Sequence, residues 1–154
     1  TDVTKIVVAG PFGAGKTTFV TTLCEDAVGA ERGVSDETSR LKEQTTVAMD
    51  HGTVRLAGER GERVVTLFGT PGQERFSFMW PMLSVGMAGY VLLVDASRLQ
   101  AQAQLKSIVR RFASFAPDAP FVLAANRWDP AALSAQSLAD FVGVPPHAVV
   151  PATP

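Results

Sequence analysis

The stretch Gly10-Pro11-Phe12-Gly13-Ala14-Gly15-Lys16-Thr17 constrains this chain more than any other, because its spacing suits a loop that leaves a strand and opens a helix. The flanks agree. Val3 to Ala9 is a β-branched run, and Lys16 to Val28 carries helical apolar spacing at Phe19, Val20 and Leu23. Together they read as strand, Walker A phosphate loop and helix. Gly13 and Gly15 let the backbone turn until several N–H groups converge on one anion, and the helix amino terminus adds partial positive charge. The Lys16 ammonium can then reach β- and γ-phosphates, and the Thr17 hydroxyl can bind Mg²⁺. Gly10, Phe12, Gly13, Ala14, Gly15, Lys16, Thr17 and Thr18 are therefore the candidate phosphate-side residues. A dinucleotide-binding glycine pattern does not match, and an invading lysine has no task there.

Downstream, strands and helices alternate. Thr46 to Leu56 and Arg63 to Phe68 read as antiparallel strands joined by Ala57 to Gly61. Gly89 to Asp95 reads as a buried strand, Arg98 to Phe115 as a helix, and Phe121 to Ala125 as another strand. Ser134 caps a helix to Phe141, and His147 to Val150 is a last short strand. The expected fold is α/β: a doubly wound, mainly parallel sheet of about six strands with one antiparallel edge strand and ligands at the strands' carboxyl ends. Gly29 to Gln44 is a polar connection too long to be idle in a compact domain.

With 154 residues, 46% of them apolar, the expectation is one domain over residues 1–154 that buries a real core. Lys and Arg number 14 against 15 Asp and Glu, a net charge of -1, which provides no basic field for nucleic acid. No apolar run approaches the roughly 20 residues of a bilayer span, so direct membrane insertion is not expected. The single cysteine, Cys24, cannot form an internal disulfide and fits a reducing, cytoplasmic setting.

Asn126-Arg127-Trp128-Asp129 follows the strand Phe121 to Ala125, which places it beside the phosphate loop. An Asp129 carboxylate accepts from the N1–H and 2-amino group of guanine, whereas it would face a lone pair at N1 of adenine. Asn126 can tie its loop to the phosphate loop, and Arg127 counts with Asn126 and Asp129 among the candidate nucleotide-binding residues. At this point the sequence resembles the small Ras-like GTPases over essentially its whole length. The resemblance is carried by the Walker A loop, Thr46 for switch I, Gly72-Gln73-Glu74 for switch II, Asn126 with Asp129, and Ala152 near the end. Thr45-Thr46-Val47-Ala48-Met49-Asp50-His51-Gly52 and Phe68-Gly69-Thr70-Pro71-Gly72-Gln73-Glu74-Arg75-Phe76 look like bacterial conservon-type GTPases, relatives of the gliding GTPase MglA.

That resemblance implies a Mg²⁺-dependent switch hydrolysing GTP to GDP, with Thr17 and Thr46 on the metal and Gly72 sensing the γ-phosphate. It also implies that Gln73 orients water, that Lys16 assists, and that the Ala152 N–H meets guanine O6. Partners implied are a roadblock-domain activator and a sensor-kinase system that recruits the protein to the membrane. Three departures bear on the chemistry. Gly69 replaces the usual metal-associated aspartate, with Asp50 a candidate substitute; Phe12 brings bulk beside the γ-phosphate; Pro71 stiffens switch II. Slow unassisted turnover follows, and the rival expectation is a GTP-dependent binding module with little hydrolysis. A third, an ATP-binding P-loop protein, conflicts with Asp129. Glu74 to Met82 is unusually aromatic and divides between a buried stripe and a partner-facing surface. Arg32, Arg40 and Lys42 read either as solvated loop cations or as charges supplied to the transition state in cis, and His51 and His147 lack ligand-spaced companions. Family members carry a final helix after the loop at Ala152 that this chain does not include, which reads as trimming or a partner-covered face.

Overall fold

A computed structural model describes residues 2–11, 13–24, 51–59, 61–70 and 74–152. Six strands form one sheet in the order β2-β3-β1-β4-β5-β6. They are β1 (Asp2–Ala9), β2 (His51–Gly58), β3 (Gly61–Gly69), β4 (Gly89–Asp95), β5 (Phe121–Asn126) and β6 (Val149–Pro151). All neighbours pair in parallel except edge strand β2, which runs antiparallel to β3. The mixed, mainly parallel sheet expected from the sequence is the one observed. β1 lies at its centre, with β3 on one side and β4 on the other. The order of connection therefore reverses at the carboxyl end of β1, where ligands of open α/β sheets bind.

Alternation along each strand divides the core. Val7, Leu92, Val94, Leu123 and Ala125 face one layer, with Leu105, Ile108 and Phe112 of α3 (Leu99–Phe115) and Leu138 and Val142 of α4 (Ala135–Val142). Val8 and Leu67 face the other, packed on Val20 of α1 (Lys16–Leu23) and Cys24. Helices thus cover both faces, with the short α2 (Trp80–Leu83) lying in the chain between α1 and α3. Phe112 is fully buried with its ring 4.7 Å from Tyr90 and 5.9 Å from Trp80.

Some boundaries differ from those read in the sequence. α1 stops at Leu23 instead of Val28, and Cys24 is already extended. Five of its eight residues, Thr17, Thr18, Val20, Thr21 and Thr22, are β-branched, and the Thr21 hydroxyl donates back to Thr17 O at 2.8 Å, a combination that weakens a helix. The β2–β3 ladder continues to Gly58↔Gly61, so the hairpin is tighter than the five residues Ala57 to Gly61. The last strand begins at Val149, because Pro146–Ala148 forms a 3-10 turn in which Pro146 removes a ladder donor. Ser134 caps α4 as expected, accepting from Ser137 N–H at 3.1 Å, and Gly143 ends it at φ 88°. Thr46, Asp50, Arg32, Arg40 and Lys42, the connection 29–44, Phe12, Pro71, Gly72 and Gln73 lie outside the described residues.

Candidate nucleotide site

Gly10 leaves β1 with no room for a side chain: a Cβ there would lie 2.3 Å from Leu93 O of β4. Pro11 is fully buried behind it, and Ala14 N–H donates to Pro11 O at 3.1 Å. Gly13 (φ 82°) and Gly15 (φ 96°) adopt the left-handed backbone that only glycine takes at little cost. Gly15 is the N-cap of α1 and contributes no side-chain acceptor. The buried Lys16 side chain arcs back, its Nζ donating to Gly10 O at 2.7 Å and Pro11 O at 3.1 Å. Two carbonyls thus hold an ammonium over a loop whose glycines let backbone donors turn toward an anion.

The second loop closes on the first. A Cβ on Gly15 would meet Asn126 Nδ2 at 3.3 Å, so the end of β5 sits against the phosphate loop. Gly15, Thr18, Phe19, Leu93, Asn126 and Ala152 line a mainly apolar cleft of about 150 Å³. This space is smaller than the few hundred Å³ typical of complete small-molecule pockets. Four residues expected from the sequence to touch nucleotide, Gly15, Thr18, Asn126 and Ala152, therefore meet at one cleft.

Asp129 stands beyond, exposed, its Oδ1 accepting from Ala131 N–H at 3.0 Å. Its carbonyl accepts from Ala132 and Leu133, each at 3.0 Å, and Trp128 Nε1 donates to Leu133 O at 2.7 Å. The carboxylate is therefore presented from a self-bonded turn. Ala152 N–H donates to Ala125 O at 2.9 Å, so acting on a base oxygen would mean exchanging that bond.

The residues that sequence reasoning passed over are Asp95, Ser97 and Arg98. Asp95 is buried at the end of β4, its Oδ1 accepting from Ser97 N–H at 3.0 Å and from the Ser97 hydroxyl. Its Oδ2 accepts from Arg127 Nη1 at 3.1 Å. Burial alone would raise this carboxyl's pKa, but the Ser97 bonds and the Arg127 guanidinium together hold it below the ordinary value. Arg98 Nη1 lies 3.9 Å from where a Gly13 Cβ would stand, which brings a further cation to the phosphate loop. A clue was available: a carboxylate ending an otherwise apolar strand, Gly89 to Asp95, needs partners if it is buried.

At the other margin, Thr70 follows Gly69 and its N–H donates to Val8 O at 2.8 Å. Among the described residues its buried hydroxyl has no hydrogen-bond partner. Such an oxygen suits the water shell of a hydrated cation. Among the described residues, no cluster of three or more His, Cys, Asp or Glu could hold a metal. Beyond Thr70, the segment 74–86 anchors through Trp80 while Phe78 (71% exposed), Met82 and Val85 point outward. The buried stripe expected at Phe76, Met79 and Leu83 is not the one observed: Met79 and Leu83 are half-buried, the inward anchor is Trp80, and the Phe76 side chain lies outside the described residues. Among the described residues, no helix is long and apolar enough to cross a membrane.

The chain is similar to known proteins over much of its length. The profile of a family described as "Conserved hypothetical ATP binding protein" matches residues 24–146. An uncharacterized protein of Methanocaldococcus jannaschii, MJ1339, is 31% identical over 98 residues, which are 63% of this chain and 54% of that protein. The Ras-related protein Rab-18 of Lymnaea stagnalis is 26% identical over 111 residues, 72% of this chain and 50% of its own. The chain spans about half the length of the curated relatives it matches.

Proposed function

The chain belongs to the conserved hypothetical ATP binding protein family, and we propose that the nucleotide it takes is a guanine nucleotide and that it acts as a switch. It binds Mg²⁺-GTP at the carboxyl end of β1 and hydrolyses it slowly to GDP and phosphate. The observation that carries this reading is the packing of Asn126 against Gly15, because it sets Asp129's loop beside the phosphate loop. The Rab-18 similarity supports the same reading. As a single GTP-binding domain the chain resembles bacterial conservon-type GTPases and the gliding GTPase MglA. By that resemblance it works in the cytoplasm with a roadblock-domain activator and a sensor-kinase system.

In this mechanism the backbone N–H groups of Gly13 and Gly15 to Thr17 cradle the β-phosphate, and Lys16 turns from the Gly10 and Pro11 carbonyls to the β- and γ-phosphates. Gln73 orients a water whose oxygen bonds to the γ-phosphorus as the bond to the β–γ bridging oxygen breaks; the water's proton passes to the phosphate released. Thr17 and Thr46 would hold Mg²⁺, with Asp50 or the Thr70 hydroxyl near its waters, and the ion supplies charge neutralisation on the phosphates. Gly72 reports the γ-phosphate, and Asp129 reads the purine.

Single-turnover hydrolysis tests the enzymatic claim. A slow rate lost in Gln73→Ala and raised in Phe12→Gly supports it. No rate even with an activator supports the second reading, a GTP-dependent binding module, which Phe12 and Gly69 together favour. A third reading, ATP as the ligand, rests on the family's description and is decided by competition between GDP and ADP.

A further inference from the structure

β4 and β5 end side by side, Asp95 paired with Asn126, and the next peptide is held in an unusual conformation. Arg127 has φ 51°, the only positive value at a non-glycine among the described residues. An arginine gains nothing locally from a left-handed backbone, so the surroundings must hold it there. Three bonds do so. Ala96 N–H donates to Asn126 O at 2.8 Å, Arg127 N–H donates to Asn126 Oδ1 at 3.0 Å, and the Arg127 guanidinium reaches Asp95 Oδ2 at 3.1 Å. Asp95 is itself fixed from below by Ser97, and Ala96 O accepts from Gln102 Nε2 of α3 at 3.1 Å.

We propose that Asp95 is a positioning residue for purine recognition: through Arg127 it fixes the left-handed turn that aims the Asp129 carboxylate. This rests on the guanine reading above, which assigns Asp129 to the base. The reasoning is steric. Residues 127 and 129 are two peptides apart, so a change of φ at Arg127 swings everything after it, including the turn from Asp129 to Leu133. Arg127 is exposed, and a solvated arginine would not by itself hold one geometry; a buried carboxylate with its own donors already in place gives it one. Asp95 thus acts through Arg127 without touching nucleotide. The Ala96 tie holds the strand end and the Asn126 Oδ1 tie holds the Arg127 N–H, while the guanidinium bond adds the restraint from the Arg127 side chain.

The test uses the intact chain with Asp95→Asn, Arg127→Ala and the double variant Asp95→Asn/Arg127→Gly. Amide hydrogen exchange at residues 127–133 is measured without nucleotide, and affinities for GDP and for IDP, which lacks the 2-amino group read by Asp129, are measured by calorimetry. Asp95→Asn and Arg127→Ala should each speed exchange in that turn and reduce the GDP-to-IDP affinity ratio by about tenfold. In the double variant glycine adopts the left-handed backbone unaided, so the ratio should return toward that of the original chain. Arg127→Ala alters only an exposed side chain and keeps the test valid if Asp95→Asn folds poorly. Unchanged exchange in both single variants overturns the proposal, as does faster exchange with an unchanged ratio. If the original chain does not distinguish GDP from IDP, the guanine reading fails, and exchange alone then decides whether Asp95 fixes the turn.

Discussion

Glycines and buried charges of this chain answer to different neighbours. Gly10 is required by Leu93 O, 2.3 Å from where its Cβ would be, so Gly10→Ala should force β1 and β4 apart and cost about 1–3 kcal/mol in chemical denaturation. Lys16→Met should abolish measurable nucleotide binding, because the ammonium held by the Gly10 and Pro11 carbonyls is the charge available to the phosphates. Asp95 sets a pH dependence. Its carboxyl is held below the 3.8 of an unperturbed aspartate, so its contribution to stability is complete above that value and disappears as pH falls through the lower folded value. Denaturation midpoints of the original chain and Asp95→Asn should therefore differ by a constant margin from pH 7 to about 5, then converge progressively in stronger acid. A margin that persists unchanged at the acid end would contradict the ionised pair.

At the scale of elements, the signals legible in the sequence were those with a local cause. β4 begins and ends where its apolar run does, and Ser134 starts α4 because a hydroxyl three residues before a backbone donor is a sufficient cap. Ser134→Ala should accordingly cost about 1 kcal/mol, read by urea denaturation. The end of α1 was less legible. Helical spacing continues past Leu23, but the β-branched content of the helix and the burial of Cys24 against Val8, Val20 and Leu67 favour an extended exit. The 3-10 turn at Pro146–Ala148 was hidden in the same way, since His147 to Val150 has strand composition and only the missing proline donor argues otherwise. The phosphate loop was legible because its glycines, lysine and threonine each answer a distinct requirement of one anion. The Asp95–Arg127 pair was not, because 32 residues separate partners that only the parallel register of β4 and β5 brings together.

For the whole molecule, the sheet order explains why distant motifs converge. β1 sits between β3 and β4, so the loop after it, Thr70 after β3, Asp95 at the end of β4 and Asn126 at the end of β5 all project from one edge. A ligand spanning that edge ties four strands together. Saturation at about 100 times Kd should add about 2.7 kcal/mol, a rise of roughly 5–10 °C in Tm by scanning calorimetry. The central claim is that one nucleotide joins Lys16 at its phosphates to Asp129 at its base. Calorimetric titration of GDP and of ADP into the original chain and Asp129→Ala tests it most directly. The account predicts GDP bound at least tenfold more tightly than ADP by the original chain, with Asp129→Ala removing that preference; equal affinities in the original chain would contradict it.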